Sequence, residues 1–269
     1  MPWLDLPGRR LDYAWVDPPH AAAAAATSGR PVLVLLHEGL GSIAMWRDFP
    51  ARLAEHTACR VLLWSRSGHG DSPPPPAPRT ARYLHEEALE VTPAVLARLG
   101  VTRPLLVGHS DGASIALIHA GAFPGQVAGV VALAPHEFVE ARTLEGIRRA
   151  GELHAGSDWS ARLARYHRDP DALFRAWHDT WLSPAFRDWN IEACLSAIRC
   201  PVLAIQGEDD EYATMRQIER IAECAPDVEL LRLAPCGHVP QRDQPEAVLA
   251  AIGRLVDRVV TGRAAPSPA

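Results

Sequence analysis

The stretch Gly108-His109-Ser110-Asp111-Gly112 directly follows the apolar run Pro104-Leu105-Leu106-Val107 and precedes Ala113 to Ala120, which has helical character. Strand, tight turn and helix is the setting in which the serine of a G-x-S-x-G motif is held on a strained elbow with its Oγ exposed. Glycines flank Ser110 because such a turn brings the strand and helix backbones together, and side chains there would collide. Ser110 is therefore a candidate nucleophile.

The surrounding chain supplies a sheet for that elbow. Pro31 to Leu36 is a continuous apolar run of the kind buried on both faces of a sheet, Arg60 to Trp64 reads as another buried strand, and Val127 to Ala134, Cys200 to Gln206 and Val228 to Leu233 read as further strands. Leu4 to Leu6 and Leu11 to Val16 read as a hairpin turning at Pro7-Gly8. Helical patterns cover Ile43 to His56, Glu86 to Leu99 with a kink or early break at Pro93, Met215 to Cys224 and Glu246 to Val260. Alternating buried strands and amphipathic helices predict an α/β fold, a doubly wound and mostly parallel sheet.

Between Pro135 and Cys200 this rhythm stops, and no β-like run occurs. Helices are expected there over Arg142 to His154, Ser160 to His167, Asp171 to Trp181 and Asn190 to Ile198, with Asp158 and Ser183 as N-caps. Such an insert is a helical cap over the carboxyl ends of the strands, where open α/β sheets bind ligands. The expected organisation is a core of residues 1–136 and 199–262, a cap of residues 137–198 and a disordered tail at 263–269. The alanine run from Ala21 to Ala26 reads as a loop.

Composition narrows the partners. A net charge of −5 with no basic run argues against nucleic acid or an anionic membrane surface. Five cysteines, odd in number and scattered, read as reduced thiols, and the N-terminus has no signal-peptide pattern, so a cytoplasmic protein is expected. None of the twelve histidines falls in an H-x-x-x-H or H-E-x-x-H run, so no metal site is expected.

A serine hydroxyl needs a base to take its proton and a group to orient that base. Gly207-Glu208-Asp209-Asp210-Glu211-Tyr212 follows one strand, and Ala234-Pro235-Cys236-Gly237-His238 follows the next. The order Ser, Asp, His places all three on one rim of the sheet. Asp209 and Asp210 are both candidates for the acid.

From Pro31 to Val260 the chain resembles the α/β-hydrolase-fold superfamily, in particular its capped serine hydrolases. The resemblance rests on His37-Glu38-Gly39-Leu40-Gly41-Ser42, Arg66-Ser67-Gly68-His69-Gly70-Asp71-Ser72, Gly108 to Gly112, Gly207 to Asp210, and Gly237-His238 followed by Pro245-Glu246. The family's G-x-x-D pattern selects Asp210, with Asp209 as the alternative. It implies catalysis by Ser110, Asp210 and His238, and an oxyanion hole from the backbone N–H groups of Asp111 and Gly39, with Leu40 next in line. It further implies no cofactor and a small, partly apolar ester, lactone or thioester substrate, carboxylesterase being the first choice. A C–C bond hydrolase of ring-cleavage diketones uses the same triad, but its anionic dienoate fits poorly with loops whose only obvious basic residue is Arg66. A ligand receptor or a cofactor-free lyase is the alternative of another class.

Glu38 departs from the family's common His-Gly pair. It is either a carboxylate hydrogen-bonded within its loop or a charge beside the pocket, and Asp111 poses the same question. Ionised there, both would oppose an anionic group near the scissile bond, so the reacting end of the substrate is expected to be neutral. Glu38, Leu40, His136, Trp177 and Trp181 are the candidate substrate contacts, while His37 and His109 are read as loop braces and His69 as part of its turn.

Overall fold

The computed structural model describes residues 1–19, 29–75 and 77–262, so the Ala21 to Ala26 run and the 263–269 tail lie outside the described residues. Eight strands form one sheet: β1 (Trp3–Leu6), β2 (Arg9–Val16), β3 (Leu33–Leu36), β4 (Val61–Trp64), β5 (Leu105–His109), β6 (Gly129–Leu133), β7 (Val202–Gly207) and β8 (Val228–Leu233). Their spatial order is β1-β2-β4-β3-β5-β6-β7-β8. Strand β2 is antiparallel to β1 and β4, and every other pairing is parallel.

The apolar runs of β3 to β7 are continuous because each of these strands is buried on both faces and serves two cores, whereas the edge strand β8 is only partly buried. Val34, Leu36, Leu62, Trp64 and Leu106 point into one, where the helical stretch from Tyr83 to Arg98 and the helix Asp111–Ala122 cover the sheet. Their sequence neighbours Leu33, Leu35, Val61, Leu63 and Leu105 point into the other, beneath helices Phe49–Thr57 and Pro245–Thr261. This is the period-two alternation of a strand with both faces buried.

Helix boundaries differ from the sequence expectation where proline or tertiary packing intervenes. Ile43 to His56 is two pieces, a 3₁₀ turn Ile43–Trp46 and the α-helix Phe49–Thr57, separated at Arg47 with φ 54°. Pro50 lacks an N–H and so suits a first helical turn better than the middle of a longer helix. Pro93 does not end its helix early. The chain is helical from Tyr83, and a π-turn over Glu87–Val91 precedes helix Thr92–Arg98, with the Thr92 N–H donating to the Glu87 carbonyl. Pro93 then falls in a first turn, where its missing donor costs nothing.

Between β6 and β7 lie the helices Ala141–Gly156, Trp159–Leu163, Pro170–Leu182 and Glu192–Leu195. Two of them are shorter than the sequence indicates. Asp158 makes no cap bond, and the Ser183 Oγ instead donates to the Thr180 carbonyl, closing the preceding helix at 2.8 Å. The effective cap is Asp169, whose Oδ1 accepts the Ala172 N–H at 2.9 Å. A bridge between Phe138 and Asn190 ties the base of the insert. Helix Glu192–Leu195 packs on Asp111–Ala122, where Gly121 admits it: a Cβ there would lie 2.5 Å from the Cys194 carbonyl oxygen.

Candidate active site

Ser110 leaves β5 with φ 52° and ψ −115°, a backbone state that non-glycine residues avoid. Its neighbours must be bare for the turn to close. A Cβ on Gly108 would sit 2.2 Å from the Gly112 carbonyl oxygen, and one on Gly112 would sit 1.9 Å from the Leu36 carbonyl oxygen. The Ser110 N–H is anchored to the Leu133 carbonyl at 2.9 Å, tying the elbow to the adjacent strand β6.

His238 follows β8 and Asp210 follows β7, and both reach the elbow. Asp210 Oδ2 lies 2.7 Å from His238 Nδ1, and His238 Nε2 lies 3.0 Å from Ser110 Oγ. A carboxylate only accepts, so Nδ1 carries the proton and Nε2 is free to accept from the serine hydroxyl. Asp209 is exposed, whereas Asp210 is buried, which separates two acids that spacing alone leaves equivalent. Asp210 Oδ1 also accepts the N–H groups of Tyr212 at 2.7 Å and Ala213 at 3.2 Å. Burial alone would lift this carboxyl, but the His238 charge and hydrogen bond, together with the Tyr212 N–H, outweigh it and hold the group at about 2. His238 responds in the opposite sense: burial would lower it, yet Asp210, Glu211 and Glu38 carry it above the ordinary imidazole value.

Two supporting residues stand behind this relay. Gln206, fully buried at the end of β7, donates its Nε2–H to Asp210 Oδ2. The sequence offers no signal for it beyond its place in an apolar strand. His109 Nε2 donates to the His238 carbonyl at 2.7 Å, so His109 braces the loop that carries the other ring. Burial and the His238 charge hold His109 at about 3, so it is neutral at ordinary pH.

The loop after β3 is equally constrained. His37 Nε2 accepts the Arg66 N–H at 3.0 Å, so its Nδ1 donates to the Glu38 carbonyl at 2.7 Å. Arg66 Nη2 donates to that carbonyl at 2.8 Å, and His69 Nε2 lies 3.1 Å from the Gly39 carbonyl, giving the turn histidine a bracing contact. The Glu38 carboxylate accepts the Leu40 N–H at 2.5 Å, which uses that amide. Glu38 also lines the cavity over Ser110, so both readings of this residue describe part of its setting. Burial raises Glu38 to about 7, against the pull of the Leu40 N–H and Arg66. The indole of Trp177 packs against Gly39, where a Cβ would lie 2.4 Å from Cδ1.

Asp111 is buried beside the nucleophile and is not left unpaired. Its Oδ2 accepts the Tyr83 hydroxyl at 2.7 Å and lies 3.5 Å from Arg66 Nη1, while the Tyr83 oxygen accepts Trp181 Nε1–H at 2.9 Å. Its Oδ1 has no partner.

A cavity of about 200 Å³ opens over Ser110 and is lined by Leu40, His136, Trp159, Trp177, Trp181 and Tyr212 among others. The His136 ring lies 5.2 Å from that of Trp181 and 5.7 Å from that of His238. Its buried Nδ1 has no partner, and burial with the nearby His238 charge lowers it to about 4, so it is a neutral ring. The sequence candidates Gly39, Leu40, Glu38, Asp111, His136, Trp177 and Trp181 therefore all border one cavity with Ser110 and His238; Asp210 lies one hydrogen bond behind it. An adjoining cavity of about 290 Å³ shares Glu38, Met45, His109 and Val239 with it. Among the described residues, no helix is long and apolar enough to cross a membrane.

Known proteins resemble the chain over most of its length. The chain is 26% identical over 246 residues to N-formylmaleamate deformylase of Pseudomonas putida, covering 85% of this chain and 90% of that one. A carboxylesterase structure from Nitrososphaera gargenis superposes with a TM-score of 0.75 at 20% identity, over 97% of this chain and 100% of that one. The enol-lactonase of Burkholderia xenovorans does so with a TM-score of 0.71 at 18% identity, over 95% and 100%. The model of the alpha/beta hydrolase family matches residues 33–251, and with that match over most of its length the chain belongs to this family.

Proposed function

We propose that this protein hydrolyses carboxylic esters of small, partly apolar substrates, lactones and thioesters included, through an acyl-enzyme on Ser110. The observation that carries the reading is the unbroken relay from Asp210 through His238 to the Ser110 Oγ, at 2.7 and 3.0 Å. His238 Nε2 takes the hydroxyl proton as Oγ attacks the carbonyl carbon, then returns it to the leaving oxygen or sulfur as the acyl bond breaks. Water, deprotonated by the same nitrogen, attacks the acyl-enzyme and releases the acid with Ser110 restored. Asp210 holds the ring in this tautomer and stabilises its charged form.

The alkoxide of each tetrahedral intermediate is assigned to the N–H groups of Gly39 and Asp111. Asp111 is the first residue of its helix, so its N–H has no intrahelical acceptor. Leu40, the alternative donor, gives its N–H to Glu38. Two such donors are worth several kcal/mol of transition-state stabilisation, of order 3 kcal/mol each. Residues 137–198 are proposed to cap the site, with Trp177, Trp181 and His136 against the substrate. The C–C hydrolase reading is weaker, because no lysine or arginine lines the cavity among the described residues to receive an anionic dienoate.

The test is hydrolysis of p-nitrophenyl acetate, butyrate and octanoate by the wild type and by Ser110→Ala. We expect turnover to fall by about 10⁴-fold or more in the variant, as for other serine relays. Equal rates in the two proteins, or no turnover of any ester by a folded wild type, would overturn the proposal.

A further inference from the structure

The cavity over Ser110 has an unusual lining. Three acids face it, Glu38, Asp111 and Glu211, together with the aromatic side chains of Trp159, Trp177, Trp181 and Tyr212. Among the described residues no lysine or arginine lines it. Arg66 stands behind Asp111, occupied by the Asp111 carboxylate and the Glu38 carbonyl.

The acids retain unused capacity. Asp111 is buried, and its Oδ1 has no hydrogen-bond partner. Glu38 forms no ion pair and accepts only the Leu40 N–H through its carboxylate. Glu211, exposed at the mouth, accepts the His238 N–H at 3.2 Å and likewise pairs with no cation. A carboxylate oxygen without a donor leaves its negative charge uncompensated, which a cation in the cavity offsets through its field without a hydrogen bond. The cavity wall adds His136, buried, neutral and with Nδ1 unpartnered, which repels no cation. Aromatic rings beside carboxylates, with no lysine or arginine among the lining residues, attract an ammonium group and oppose an anion.

Building on the esterase reading, we infer that the preferred substrate carries a cationic amine or quaternary ammonium group, held in this cavity by the charges of Glu38, Asp111 and Glu211 and by the rings of Trp159, Trp177 and Tyr212. The charge lies beside the scissile carbonyl without being part of it, so the bond-breaking steps are those already described. An ester with a carboxylate in the same place is the poorest substrate of an isosteric set.

Two isosteric pairs test this at constant ionic strength and at pH 8, above the value of about 7 to which burial raises Glu38. On the leaving-group side, acetylthiocholine is compared with 3,3-dimethylbutyl thioacetate; on the acyl side, the p-nitrophenyl ester of 4-(trimethylammonio)butyrate is compared with that of 5,5-dimethylhexanoate. In one of the pairs kcat/KM is expected to favour the cation by about tenfold or more, a ratio that Glu38→Gln or Glu211→Gln lowers. Turnover of the neutral esters with no cationic preference in either pair would overturn the inference and leave the esterase reading standing. Calorimetric binding of choline to Ser110→Ala, against 3,3-dimethylbutanol as the neutral control, reads the same site without catalysis. Binding of choline without ester turnover would support the cation site and remove the esterase; no preference for choline over the alcohol would remove the cation site.

Discussion

Removing one oxygen atom, in Tyr83→Phe, strips two buried groups of their partner at once. The Tyr83 hydroxyl donates to Asp111 Oδ2 at 2.7 Å and accepts from Trp181 Nε1 at 2.9 Å. Loss of a hydrogen bond to a charged acceptor costs about 1.5–3 kcal/mol, and a buried indole N–H left unpaired adds about 1–3 kcal/mol. Little can compensate, because Asp111 Oδ1 is already without a partner and the remaining contact, to Arg66 Nη1, is 3.5 Å long. The ring itself and the Arg79 guanidinium 4.6 Å above it are retained. The expected destabilisation is therefore about 3 kcal/mol, which in a domain of this size lowers Tm by about 6–12 °C. Urea unfolding followed by tryptophan fluorescence measures the first quantity and calorimetry the second. Trp181→Phe and the double variant complete a cycle whose coupling should be about 1 kcal/mol. A loss below about 0.5 kcal/mol in Tyr83→Phe, an ordinary surface effect, would refute the reasoning that this hydroxyl is the hinge of the network.

Three other outcomes follow from the geometry. Asp210→Asn should lower kcat by about 10⁴-fold, as loss of the orienting acid does in serine relays, while the exposed Asp209→Asn stays close to wild type in the same assay. Gly112→Ala should yield little folded protein, since the new methyl would meet the Leu36 carbonyl oxygen at 1.9 Å and that oxygen is backbone and cannot swing away; a soluble variant with wild-type Tm would contradict this. The acid limb of the kcat/KM profile should be centred above pH 6.5, because His238 must be neutral to act as base and its fold environment raises it. By linkage, this raised imidazole stabilises the fold fully below pH 6.5 and loses that contribution as pH rises through its folded value. A limb centred below pH 6 would show that Asp210 does not govern the ring.

Much of this architecture is legible in the sequence because buried parallel strands leave an unmistakable trace. Each of β3 to β7 is a short apolar run, Ser110 and Asp210 stand just beyond the ends of two of them, and His238 follows the partly buried edge strand β8. What is illegible depends on contacts between distant positions. Asp209 and Asp210 are equivalent in one dimension and differ in burial. Gln206 reads as the end of a strand until Asp210 is seen to need a second donor. Tyr83, Asp111 and Trp181 meet from three separate helices, and no local pattern encodes their meeting. Pro93 is a helix breaker in isolation, and the π-turn that shifts it into a first turn is visible only in the folded chain.

The strand order has a consequence for how such a protein can change. The helical insert leaves from β6 and returns to β7, which are immediate neighbours paired in parallel from Val130–Val202 to Leu133–Ile205. Its two ends are thus pinned side by side by the sheet and clasped again at Phe138 and Asn190. Lengthening a connection between fixed ends costs little, about 0.6 kcal/mol for each doubling of a flexible loop. A different set of helices could be spliced between these two stems without disturbing the register of any strand beneath. Ser110, Asp210 and His238 all lie outside that splice, as do Glu38, Asp111 and Glu211, so new helices there would replace the walls supplied by Trp159, Trp177 and Trp181 and leave the proposed chemistry and the three acids in place.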